Sequence, residues 1–252
     1  MEKNIKLANE LIDFIYESPT AFHAVSTTKS MLKQEGFTEV LDSEKWDLKK
    51  GGKYFTTQND SALIAFVVGD GELESNGFKL IGAHTDSPSF RIKPFPEMTS
   101  ENTYVRLNTE VYGGPILNTW LDRPLSIAGR VTLRGNNPLS PETRLLNINK
   151  PILIIPNIAI HMNREVNQGV ELNKQKDTLP LLSLVNESLE KDKYLINTIA
   201  AELSVNVSDI LDFDLFLYEY EKGSVIGLNE EFISSPRRSE EHTSELQSPI
   251  RS

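Results

Sequence analysis

The chain has 252 residues, 38% of them hydrophobic, no cysteine and a formal net charge of −10. That is enough apolar material for one large domain or two smaller ones, while the acidic balance and the lack of a Lys/Arg block exclude a nucleic-acid backbone as partner. Without cysteine there are no disulfides and no thiolate chemistry, so any metal must be held by His, Asp and Glu.

Ile5, Ala8, Leu11, Ile12 and Ile15 recur at helical spacing and predict a first helix, buried along that face and ending near Ser18-Pro19. A second helix is predicted from about Thr20, through Ala24, Met31 and Leu32, to Gly36, a residue suited to a left-handed C-terminal position. Strands follow at Lys53 to Thr57 and Ser61 to Gly69, joined through Asn59-Asp60 as a hairpin turn. The apolar run "FKLI" at Phe78 to Ile81 reads as a strand buried on both faces, ending in the polar stretch "GAHTDSP" at Gly82 to Pro88.

From Phe90 to about Tyr220 short apolar runs such as "LSIAGRVTL" and "PILIIPNIAIHM" are broken by Gly, Pro and Asn, the texture of a β-rich second domain. Within it, Leu181 to Leu203 is expected to supply a helix or two, and "DFDLFLYEY" at Asp212 to Tyr220 alternates as a strand. Domain boundaries fall near Pro88 and near Gly223. No apolar run approaches the ~18 residues of a bilayer span, and "MEKNIKLANELIDF" is amphipathic rather than a signal peptide. A cytoplasmic protein with no membrane partner is expected.

Chemistry points first to His84 and Asp86. In open α/β sheets ligands gather outside the carboxyl ends of strands, and residues two apart in an extended chain face one side. One imidazole nitrogen can then ligate zinc while a carboxylate accepts from the other, fixing the tautomer. As a bare spacing the pair favours a turn over a ligand site, with the histidine capping it and the aspartate initiating it at Ser87-Pro88. His23 reads as a helix-packing histidine, and His161, beside an apolar run, as a partly buried one. Two glycines in "YGGP" at Tyr112 to Pro115 make a turn rather than a phosphate loop. Asp122 and Arg123 read as a structural ion pair or interface residues, and Glu230-Glu231 as a solvated turn.

Five segments carry a resemblance across the chain: "SPTAFHAV", "IGAHTDSPSFRIKP", "EVYGGPILNTWLDRPLSIAGRV", "IPNIAIHMNREVNQGVELNKQKDTLPLL" and "GLNEEFISSPR". In this order they resemble the aspartyl aminopeptidase, or aminopeptidase I, family of zinc metallopeptidases, which remove one residue from the N-terminus of a peptide. The resemblance implies an α/β fold: a three-layer α/β/α catalytic domain, interrupted by an inserted β-rich domain used in assembly. Residues 1–88 would be the N-terminal part of the catalytic domain, 89–223 the inserted oligomerisation domain, and 224–237 the start of the remaining catalytic domain. It further implies His84 as a ligand of Zn2+, in a site of two zinc ions, and Asp86 as a residue that orients a ligand or tunes the site. His161 would reach the active site of a neighbouring subunit of a homo-oligomer and stabilise the oxyanion.

A two-zinc peptidase also needs a bridging carboxylate, further ligands and a general base, and only His84 and Asp86 are recognisable here. In the family, "SPR" leads to the metal-bridging aspartate; here it leads to "RSEEHTSELQSPIRS". Its first part resembles a translated sequencing-adapter oligonucleotide, so 238–252 is expected to be a non-native tail, and about half of a family member to be present. The expected function is a zinc aminopeptidase acting on peptides with acidic or neutral N-terminal residues, inactive in this form. The alternatives are a non-catalytic assembly or binding fragment and a related metal-dependent hydrolase.

Overall fold

A computed structural model describes residues 2–137, 139–169, 171–185, 193–236 and 246–247. The chain forms two compact units, Met1–Ser87 with Gly223–Ser252, and Pro88–Lys222. Both mix helix with sheet, and the second is sheet-rich. Apart from Leu246–Gln247, the segment read as a foreign tail lies outside the described residues.

In the first unit, α1 (Glu2–Glu17) packs against α2 (Ala21–Gln34) and β11 (Ser224–Ile226). Of the five apolar residues expected on its buried face, only Ile12 is fully buried, and Leu11 is 47% exposed. The neighbours of α1 cover a narrower stripe than its periodicity offers. Helix α2 is capped at both ends. The Thr20 side chain accepts from the His23 amide, and Gly36, at φ +80°, donates to Lys33 while Phe37 donates to Leu32, the paired bonds of a left-handed helix stop. Phe22, Ala24 and Val25 are its buried residues, whereas Met31 is 51% exposed.

Strands β1 (Thr38–Glu39), β2 (Lys53–Gln58) and β3 (Ala62–Val67) form one sheet, with β1 parallel to β2 and β3 antiparallel to it. The turn between β2 and β3, residues 59–61, has Asn59 at φ 53° and Asp60 at φ 55°, left-handed angles that Asn and Asp adopt more readily than other side chains do. A short helix, α3 (Leu73–Asn76), precedes β4 (Leu80–Ile81).

The "FKLI" segment departs from expectation. Its strand, β4, is only Leu80–Ile81, and the side chains are open: Phe78 is 62%, Leu80 49% and Ile81 84% exposed. Among the described residues its strand partner is β13 (Leu246–Gln247), antiparallel. A strand is buried by what flanks it, and no layer of described residues covers these side chains.

The second unit is built on a six-stranded antiparallel sheet. Its strands are β5 (Ser89–Ser100), β6 (Tyr104–Tyr112), β7 (Leu125–Asn137), β8 (Ser140–Asn147), β9 (Leu181–Leu184) and β10 (Ile210–Glu219), in the order β8-β7-β10-β5-β6-β9. Alternate residues make the core: Phe90 and Ile92, Leu107, Ile127 and Val131, Leu215 and Leu217. Helix α4 (Tyr194–Leu203) adds Leu195 and Ile199 to it, each burial stabilising by about 1.5–3 kcal/mol. Gly129 lets β7 approach β10: a Cβ there would lie 2.0 Å from the Asp214 carbonyl oxygen.

Among its described residues, Leu181 to Leu203 thus begins as strand β9, Leu181–Leu184, and ends as helix α4, Tyr194–Leu203. Pro180 precedes it, its carbonyl accepts from the Leu107 amide, and the edge of β6 captures the residues that follow as a strand. Back in the first unit, β11 and β12 (Phe232–Ser234) form a hairpin.

Candidate active-site loop

The loop carrying His84 and Asp86 lies between the end of β4 at Ile81 and the start of β5 at Ser89. The extended geometry does not persist, because the chain bends at Thr85. The bend still brings the pair together. His84 Nδ1 lies 2.9 Å from the backbone oxygen of Asp86 and 3.2 Å from its carboxylate Oδ1. Both are acceptors, so Nδ1 is the nitrogen that carries the proton, and in the neutral ring Nε2 is left with a free lone pair. That is the arrangement of a metal-ligating imidazole oriented from behind by a carboxylate. The His84 side chain is about one-third exposed, at 33%.

A single ligand does not make a zinc site, since catalytic zinc takes about three protein ligands. Among the described residues no group of three or more His, Cys, Asp or Glu side chains could hold a metal ion. His84 and Asp86 therefore suit one corner of such a site, and the described residues do not complete it.

The loop is tied to its unit by Thr85, whose hydroxyl donates to the Ser61 carbonyl at 2.7 Å, at the end of the β2–β3 turn. Residue patterns gave no sign of this bond, because it joins positions 24 residues apart.

The other histidines behave differently. His23 sits in the first turn of α2 with Nδ1 2.9 Å from Thr20 Oγ1, and burial lowers its pKa from 6.5 to about 4. It is a packing histidine. His161 is exposed rather than partly buried, in an irregular segment after Ile155. Around it Ile158, Ile160 and Met162 are also exposed, Met162 by 81%. The base of this segment is held by Asp122, at φ 58°, whose carboxylate accepts from the Asn157 amide at 2.8 Å. Asp122 and Arg123 do not pair with each other in the contacts seen here: Arg123 pairs with Glu219. Gly113, in "YGGP", turns the chain after β6 at φ +69°. Glu231 is a turn residue, its carboxylate accepting from the Asn229 side chain at 2.8 Å and amide at 2.9 Å, and these bonds lower its pKa.

Comparison with known proteins places this loop in a family. Residues 14–245 match the model of the Aminopeptidase I zinc metalloprotease (M18) family. The matched span thus continues beyond Arg237 into the segment read as a foreign tail. Over 237 residues the chain is 67% identical to a probable M18 family aminopeptidase 2 of Clostridium novyi and 60% identical to one of Clostridium acetobutylicum, with 94% of this chain and 55% of each relative covered. The chain spans about half the length of the curated relatives it matches. A chain from the cryo-EM structure of the Ape4 and Nbr1 complex superposes with a TM-score of 0.83 at 35% identity, covering 90% of this chain and 46% of that one. The S. cerevisiae mApe1 dodecamer superposes with a TM-score of 0.76 at 26% identity, covering 92% and 52%. With its family match running through nearly the whole chain, this protein belongs to the aminopeptidase I zinc metalloprotease (M18) family.

Proposed function

We propose that this chain is the part of a zinc-dependent aminopeptidase that supplies one metal ligand, His84, with Asp86 as the carboxylate that orients it. The observation that carries this reading is the position of His84 Nδ1 between two acceptors of Asp86, at 2.9 and 3.2 Å, which leaves Nε2 for a metal. The completed site takes two zinc ions and acts on the N-terminal residue, acidic or neutral, of peptides in the cytoplasm. The remaining ligands and the general base come from the part of the relatives' length that this chain does not span.

In the same reading, residues 1–88 and 224–237 belong to a three-layer α/β/α catalytic domain, and 89–223 form an inserted domain through which the protein homo-oligomerises. The division of the chain at Pro88 and Gly223 supports this. The exposure of His161, in an irregular segment, supports it as the residue that crosses to a neighbouring subunit and stabilises the oxyanion.

The test uses the 252-residue chain. Titrated with zinc and assayed on Leu-, Asp- and Glu-anilides, it is expected to bind zinc weakly and to turn over none of them. Tight stoichiometric binding together with turnover that His84→Ala abolishes would overturn the view that the partners of His84 lie elsewhere.

A further inference from the structure

The geometry points to Thr85 as a positioning residue, one that sets the His84 imidazole by clamping the loop to the β2–β3 hairpin turn. The inference rests on the reading of His84 as a ligand. The contact between His84 Nδ1 and the Asp86 carbonyl closes a ring whose middle residue is Thr85. Whatever fixes the backbone of Thr85 therefore fixes the spacing between imidazole and carbonyl.

No sheet ladder does this, because β4 ends at Ile81, β5 begins at Ser89 and the chain bends between them. The hydroxyl of Thr85 reaches the Ser61 carbonyl at 2.7 Å, a short and well-formed bond for a neutral pair. Its acceptor is itself rigid. The Ser61 amide donates back to Gln58 at 3.1 Å, closing the turn in which Asn59 and Asp60 are both left-handed. The Thr85 hydroxyl thus carries geometry set by two turn residues toward the histidine. Metal ligands depend on such outer partners: their loss typically costs about 10–100-fold in affinity or activity.

The tautomer of His84 reports this directly, without metal or substrate. Two-bond proton–nitrogen NMR spectra of the labelled chain distinguish the Nδ1–H from the Nε2–H imidazole, and His84→Gln assigns the signal. The native chain is expected to show His84 in the Nδ1–H form. Thr85→Val, which keeps the shape and removes the donor, is expected to shift His84 toward the Nε2–H form preferred by a free imidazole, and Thr85→Ser to restore it. His23, held by Thr20, should not change in either variant. If Thr85→Val loses the native His23 signal, a glycine inserted between Asn59 and Asp60 takes its place, moving the acceptor instead of the donor with the same expected shift. A His84 in the Nδ1–H form that ignores loss of the hydroxyl, or displacement of the turn, overturns the role of Thr85 alone. A native His84 without the Nδ1–H form overturns the ligand geometry as well.

Discussion

The Glu97 carboxylate accepts a hydrogen bond from the Leu195 amide at 2.9 Å, across 98 positions of sequence. It satisfies one of the free N–H groups in the first turn of α4 and places a negative charge at the positive end of the helix. Lys193, at the cap position, makes no side-chain capping bond.

Glu97→Ala is therefore expected to destabilise the second unit by about 1 kcal/mol, the usual cost of a lost helix cap. Urea unfolding measures it, as a lower midpoint with an unchanged slope. Glu142→Ala, which removes the exposed pair with Arg144, should stay within about 0.5 kcal/mol of the parent.

On the sheet, Asp214 of β10 pairs with Arg91 of β5 at 2.5 Å and with Arg130 of β7 at 3.2 Å. Asp214→Ala leaves two guanidinium groups with their shared acceptor gone. A loss of about 1–2 kcal/mol is expected, more than a lone surface pair provides. Because the three side chains are 22 to 44% exposed, the loss should shrink at about 1 M salt, where the Debye length is only about 3 Å. Equal losses at low and high salt would mean that packing, not charge, is what the aspartate provides.

His23 gives stability a pH dependence whose sign is fixed. Its pKa is about 4 in the folded chain against an ordinary 6.5, so between those values the unfolded chain binds a proton that the folded chain refuses. Its contribution is complete above about pH 6.5 and is lost as the pH falls toward about 4, with a slope approaching 1.4 kcal/mol per pH unit inside that window. Denaturation at a series of pH values should show His23→Gln with a flatter profile between those limits than the parent.

The features legible in sequence were those decided by a few adjacent residues. Asn59-Asp60 announced a hairpin because both tolerate left-handed angles, and Gly36 announced a helix stop for the same reason. His84 and Asp86 could be paired because they lie two apart. The burial of "FKLI" could not be read, since it belongs to neighbours rather than to the segment, and Leu181 to Leu184 became a strand because an open edge was there to take it. Glu97 with Leu195 and Thr85 with Ser61 are contacts between distant positions, and one sequence carries no pattern that pairs them.

Gly129→Ala is expected to be the most damaging of these single changes. The added Cβ meets the Asp214 carbonyl oxygen at 2.0 Å and the Leu215 Cα at 2.9 Å, backbone atoms of a central strand that cannot swing aside. A loss of about 3 kcal/mol or more is expected, read as a large drop in the unfolding midpoint or as failure to recover folded protein. A midpoint within about 0.5 kcal/mol of the parent would show that β7 and β10 can separate without cost.

The bare side chains of Phe78, Leu80 and Ile81 decide how this molecule behaves toward its own copies in solution. Net charge of −10 keeps copies apart, while apolar side chains that no layer of described residues covers draw them together once they touch. Salt weakens the first force and leaves the second, so light-scattering second virial coefficients should fall from positive toward negative as ionic strength rises. Storage at low salt and a pH well above the isoelectric point of about 5.0 follows from that balance, as does the remedy of placing a lysine at Ile81, the most exposed of the three at 84%.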